Sequence, residues 1–202
     1  MSEVMGLVAG SGFAAGINLY LTVLLVGLYG RWFDAAAVPE ALTETPVLVI
    51  AGVLAATEFL ADKVPWFDSV WDTVHTVIRP VGAGMLAVVL VDGDTSAISE
   101  ALAGGTAGVL ALTAHAAKAS TRVAVNTSPE PFSNSVVSLL EDGLVAGVVW
   151  VAVEHPVVAI GVVGVLTLIA IGVVVGLWRT VRAVRLRMRQ KSLRQRMRQV
   201  RR

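Results

Sequence analysis

Val4 to Gly30 and Pro156 to Trp178 are runs of 27 and 23 residues without a formal charge. About 20 apolar residues cross the hydrocarbon core of a bilayer as a helix, so each run predicts a membrane span. The first is too long for a signal-peptide core, lacks a basic leader and contains Asn18, and reads as a retained helix. With 55% apolar and 15% charged residues, the 202-residue chain does not suit a soluble globular domain, which carries about a quarter charged residues. No cysteine is present, which removes disulfides, thiolate metal sites and cysteine nucleophiles.

The net charge of +1 hides an asymmetry. Arg179 to Arg202 holds eleven Arg/Lys and no Asp/Glu, leaving five basic and all 15 acidic residues for the body. Uncharged runs in the middle are short. They become long enough to span if ionisable residues enter the membrane at one end, giving helices near 46–63, 67–91, 98–123 and 133–153. The expected fold is an all-α polytopic membrane protein of six helices: a transmembrane domain over 1–178 and a basic tail over 179–202. Lys63, Arg79, Lys118, Arg122 and the tail fall on one side. The positive-inside rule makes that side cytoplasmic and puts both termini there. The localisation read from this is a multi-pass cell-membrane protein, in a bacterial inner membrane.

The chain also resembles itself. Ala51-Gly-Val-Leu-Ala-Ala-Thr57 matches Ala107-Gly-Val-Leu-Ala-Leu-Thr113, an offset of 56 residues. After a ten-residue insertion, Pro65-Trp-Phe-Asp-Ser-Val70 lies over Pro131-Phe-Ser-Asn-Ser-Val136. Two parallel helical-hairpin repeats follow, near 46–91 and 98–153, an arrangement common among transporters.

Asp68, Asp72, His75 and Arg79 fall on one face of a helix, with Phe67, Val70, Trp71, Val74, Ile78 and Val81 on the other. Asn134, Ser138 and Glu141 repeat that stripe. His115, Lys118 and Arg122 form another, and Glu58 and Asp62 are i, i+4. Burying an Arg, Lys or Asp at a helix centre costs about 2.5–3.5 kcal/mol, so these groups are expected to converge on a wet, inward-facing vestibule. Glu58, Asp62, Asp68, Asp72, Glu130, Glu141 and Asp142 outnumber Lys63, Arg79, Lys118 and Arg122, which favours a cation or proton. The candidate binding residues are therefore Glu58, Asp62, Asp68, Asp72, His75, Arg79, His115, Lys118, Arg122, Asn126 and Glu141.

The spacing of His75 and His115 is no metal signature, so no metal and no cofactor is expected. No nucleophile-elbow or P-loop pattern is present, and no catalytic residue is named. Three functions stay open: a transporter or channel, an intramembrane enzyme or lipid-phosphate handler gripping a headgroup with Lys118, Arg122 and Arg79, and a structural assembly factor. Pro129 and Pro131 flank Glu130 in a rigid turn or gate. Gly6-x-x-x-Gly10 and Gly12-x-x-x-Gly16 predict close helix packing. Unwinding at Gly10-Ser11-Gly12 is the sharper alternative. The expected partners are the bilayer itself, anionic headgroups held by the tail and further copies of the chain in a homo-oligomer, with no nucleic acid.

Gly10 to Leu21, Phe59 to Asp72 through Arg79-Pro80, Ala114 to Lys118 through Arg122, Asn126 to Pro131 and Glu141-Asp142 resemble a family of small bacterial membrane proteins, domain of unknown function 4126. The resemblance covers roughly 4–155. It implies an integral membrane protein and no assigned activity.

Overall fold

The computed structural model describes residues 2–33, 35–91, 96–125 and 131–200. Its elements are α1 (Ser2–Ile17), α2 (Leu19–Phe33), α3 (Glu40–Thr43), α4 (Thr45–Ala61), α5 (Pro65–Val91), α6 (Ala97–Val125), α7 (Pro131–Glu154) and α8 (Pro156–Val200). Among the described residues there is no strand. Helices α4 to α7 begin and end within two residues of the bounds expected from charge and hydropathy. Segments of α5, α6, α7 and α8 are long and apolar enough to cross a membrane. Helices α1, α2 and α4 are apolar but shorter.

The packing is inside-out relative to a soluble protein. Glu58, Asp68 and Arg79 are 0% exposed, while Leu168 is 72% exposed. The apolar face of α5 (Phe67, Val70, Val74, Ile78, Val81) is exposed, and its polar face is buried. A hydrocarbon solvent rewards this arrangement; water would not.

The first apolar run is not a single span. It breaks at Asn18 into α1 and α2. α1 is the buried centre of the bundle and packs on α5, α6, α7 and α8. Its glycines make this possible: a Cβ on Gly6 would lie 1.9 Å from the Pro156 carbonyl oxygen, and one on Gly16 would lie 2.2 Å from that of Ala111. Gly10 meets Ala152 and Gly12 meets Ala107 in the same way. The predicted packing role of the Gly-x-x-x-Gly pairs is therefore what the structure has. Gly10-Ser11-Gly12 stays helical, and Ser11 Oγ donates to the Leu7 carbonyl at 2.6 Å. The unwinding considered there occurs instead at Asn18.

The direction of each half follows from its neighbours. Along α1, Gly12 and Gly16 meet Ala107 and Ala111, so α1 and α6 run parallel. Along α2, Gly52 lies against Leu24, Gly27 against Leu42 and Leu48, and Gly30 against Val38 and Thr43. The chain thus enters along α1, turns at Asn18 and returns along α2 toward the start of α4. The expectation of one crossing from Val4 to Gly30 is corrected: hydropathy counts apolar residues and is blind to a mid-run break. Pro156, the first residue of α8, lies against Gly6 near the start of α1.

Two further features concern the central helices and α8. α5 packs most extensively on α6, while α4 with α5, and α6 with α7, barely touch. Gly84 and Gly104 bring the α5 and α6 backbones together, as does Gly108 under the Pro80 carbonyl. Helix α8 runs without interruption from its apolar part into the basic residues, to Val200.

Candidate functional site

Helical spacing delivers the polar stripes to one region. The C-terminal end of α4 supplies Glu58 and Asp62, the first half of α5 Asp68, Asp72, His75 and Arg79, the second half of α6 His115, Lys118 and Arg122, and the start of α7 Asn134, Ser138, Glu141 and Asp142. The side chains form an alternating chain of charge. Arg79 Nη2 lies 3.2 Å from Asp72 Oδ1 and 2.6 Å from Glu58 Oε1. Lys118 Nζ lies 3.6 Å from the same Glu58 oxygen and 3.0 Å from Asp62 Oδ2. Arg122 Nη2 lies 3.0 Å from that Asp62 oxygen and 2.6 Å from Glu141 Oε2. Lys118 also approaches Glu141 at 3.8 Å, and Arg122 Nε approaches Asp68 at 3.9 Å. Sharing the Glu58, Asp62 and Glu141 oxygens each between two cations offsets the desolvation that makes a lone buried pair costly.

The broken helix enters this chain directly. Interrupting a helix frees carbonyls at the end of its first half and amides at the start of its second. Lys118 Nζ donates to the Ile17 carbonyl at 3.1 Å, and Arg79 Nη1 to that of Gly16 at 3.3 Å. Both cations thus meet the negative end of the α1 dipole. On the other side Asn18 Oδ1 accepts from the Leu21 amide at 3.0 Å, capping α2, and Asn18 Nδ2 donates to Asp142 Oδ1 at 3.2 Å. Backbone irregularity at membrane depth is tolerated where protein groups satisfy it, as they do here.

The two histidines separate. Arg79 Nη1 donates to His115 Nδ1. A guanidinium is always a donor, so Nδ1 is the acceptor nitrogen and Nε2 carries the proton toward Thr76 Oγ1 at 3.1 Å. His75 is the reverse: its Nδ1 donates to the Trp71 carbonyl at 2.8 Å, and Nε2 faces the Tyr20 hydroxyl at 3.1 Å. Among the described residues, no three His, Asp or Glu side chains are grouped to hold a metal ion. Lys63, in the turn after α4, sits 3.0 Å over the Phe59 ring. Burial pushes its ammonium below the usual lysine range, while Asp142 and Asp62 pull it upward.

Glu58, Asp62, Asp72, Arg79, His115, Lys118, Arg122 and Glu141 therefore meet in one network, with Asp68 at its edge. His75 joins Tyr20 beside it. Asn126 and the Pro129–Glu130 turn lie outside the described residues. Among the described residues, direct ion pairs occupy the centre of this network. A cleft of about 430 Å³ lies on its flank, lined by Asp68, Ser69, Asp72, Thr73, Thr76 and Arg122 with Ala119 and Val123. Periodicity did not single out Tyr20, Thr76 or the Gly16 and Ile17 carbonyls. Asn18, a polar residue inside an apolar run, was the available signal for them.

A family described as Domain of unknown function (DUF4126) matches residues 5–175. The chain belongs to that family. The match takes in the membrane part of α8, beyond the limit near 155 that the sequence motifs suggested. No curated protein and no solved structure matches the chain.

Proposed function

We propose that this membrane protein carries a proton or a small cation across a cell membrane through the polar cluster. One observation supports the reading above the others. Five carboxylates (Glu58, Asp62, Asp68, Asp72, Glu141) share three cations (Arg79, Lys118, Arg122) in a buried chain. With every group charged, that set is short of two positive charges, and intramembrane ionisable groups in excess of their partners mark ion or proton paths. Glu58 Oε2 and Asp62 Oδ1 are buried without a hydrogen-bond partner, and each is a place for a proton. Asp68 stands at the entrance; Asn126 belongs to the same path by its place between α6 and α7.

In this reading α4 to α8 cross the bilayer and α1 with α2 re-enter from one side. The end bearing Lys63, Arg122 and the tail is cytoplasmic by the positive-inside rule, and the tail's basic residues meet anionic lipid. The hairpins α4–α5 and α6–α7 are copies of one unit. The Asp62–Lys118 pair favours this, since the two residues occupy equivalent places 56 apart, and both hairpins are splayed alike. One chain is narrow for a pathway, and a homo-oligomer is part of the proposal.

The closeness of the pairs favours a second reading, in which the charges only lock helix ends together. A phosphate-gripping role is less favoured, because Lys118 and Arg122 already face carboxylates. Flux into proteoliposomes, measured for the wild type, Asp62→Asn and His115→Ala, separates the two. Loss of proton or cation flux in folded variants supports transport. Unchanged flux in both supports the locking role.

A further inference from the structure

Arg79 Nη1 is shared between two acceptors. It donates to His115 Nδ1 and, at 3.3 Å, to the Gly16 carbonyl at the end of α1. The other terminal nitrogen, Nη2, serves Glu58 at 2.6 Å and Asp72 at 3.2 Å. A neutral imidazole accepts at one nitrogen, whereas an imidazolium donates at both. His115 Nε2 already directs its proton to Thr76 Oγ1 at 3.1 Å, and Thr76 gives its own hydroxyl proton to the Asp72 carbonyl at 3.0 Å. A second proton on the ring can therefore go only to Nδ1, the atom that Arg79 holds. Thr76 lines the cleft on the flank of the network, so buried His115 is one hydroxyl away from open space. The charges that face His115 are Arg79, Asp72 and His75 on α5 and Lys118 on α6. α1 has no ionisable side chain beyond Glu3, and α8 has none from Pro156 to Trp178. Glu58 of α4 is held by Arg79, and Glu141 of α7 turns to Lys118 and Arg122.

We infer that proton uptake by His115 unlatches Arg79 from the end of α1, so that the break at Asn18 is held while the imidazole is neutral and loosened when it is charged. The ring gains one proton at Nδ1, and no other covalent bond changes. Two cations then meet through N–H groups, and Arg79 draws back toward Glu58 and Asp72. The Gly16 carbonyl loses its charged donor, which leaves the end of α1 to Lys118 on the Ile17 carbonyl. Histidine is the side chain whose charge changes most readily near physiological pH, and a local charge change that biases a packed contact is a general form of switch. The latch does not depend on an ion crossing the protein.

The test titrates the full-length, nitrogen-15-labelled protein in detergent from about pH 8 to about pH 4. Nitrogen-15 shifts follow the His115 ring. Hydrogen exchange, corrected for its intrinsic pH dependence, gives the protection of the amides from Ala14 to Thr22. The expected result is a fall in protection of about tenfold, the worth of one hydrogen bond from a charged donor, at the pH where Nδ1 gains its proton. His115→Asn keeps an acceptor oxygen for Arg79 and takes up no proton, and its protection stays level through the range. A ring that stays neutral throughout, level protection while the ring titrates, a fall displaced from the ring's midpoint, or an equal fall in His115→Asn overturns the inference. Where that variant does not accumulate, the coincidence of the two wild-type midpoints decides. Neither measurement reads flux, so the latch and the transport reading can fail separately.

Discussion

Lys118 Nζ lies 3.0 Å from Asp62 Oδ2, joining α6 to the end of α4 across 56 residues of chain. Lys118 is also the group that ties this pair to the broken helix, through the Ile17 carbonyl at 3.1 Å. Two elements that hydropathy treats separately, the apolar first run and the charged middle, are thus held by one ammonium.

That position makes Lys118→Met milder than Arg122→Met. Without Lys118, Glu58 keeps Arg79 at 2.6 Å, and Asp62 and Glu141 keep Arg122 at 3.0 and 2.6 Å. The loss is chiefly the donor to Ile17, about 1–3 kcal/mol. Without Arg122, Glu141 keeps only the 3.8 Å approach of Lys118, and Asn134 Oδ1 loses its donor. Breaking a buried pair costs about 3–5 kcal/mol. Denaturant unfolding of the two variants in detergent measures the order, and equal losses would contradict it.

Asn18 gives a test that capping alone cannot reproduce. Asn18→Ala removes the cap on α2, a loss of about 1 kcal/mol. Aspartate caps a helix as well as asparagine does, but Asn18→Asp sets a carboxylate against Asp142, 3.2 Å from the present amide. Asn18→Asp should therefore be the less stable of the two in thermal melts at neutral pH. The reverse order would show that the Asn18–Asp142 contact is immaterial.

Glycines divide by their surroundings. A Cβ on Gly16 would meet the Ala111 backbone oxygen at 2.2 Å, which neither helix can relieve without moving. Gly16→Ala is expected to lose at least about 1–3 kcal/mol or fail to accumulate. A methyl group on Gly143 or Gly147 would meet nothing within 4 Å. Alanine there should be neutral or stabilise by up to about 1 kcal/mol through helix propensity. Expression level and melting midpoint read both.

The histidines should differ in tautomer. Nitrogen-15 spectra of labelled protein are expected to show the proton of His115 on Nε2 and that of His75 on Nδ1, as their partners Arg79 and Trp71 require. Two identical tautomers would contradict the hydrogen-bond directions described above.

Much of this arrangement is legible from residue order. The i, i+4 and i, i+7 spacings on α5 and α6 foretell which side chains meet, because a regular helix fixes their azimuth. Loop charge foretells where α4 to α7 begin and end. The break at Asn18 is another matter. Leu19 to Leu21 suit a helix as well as any apolar triplet, and what makes interruption tolerable lies far away, in Arg79, Lys118 and Asp142. Residue order likewise does not distinguish an open hollow from a closed one. That depends on whether Lys118 and Arg122 reach across to α4 and α7, a matter of helix separation that periodicity does not encode.

α8 has one more implication. At 45 residues it is roughly 67 Å long, more than twice the thickness of a bilayer's oily layer. Its first turn presses on Gly6, at the beginning of the innermost helix. Whatever grips the arginine-rich end is therefore holding the far end of a stiff lever whose fulcrum is the membrane and whose short arm rests against the piece of chain that ends at Asn18.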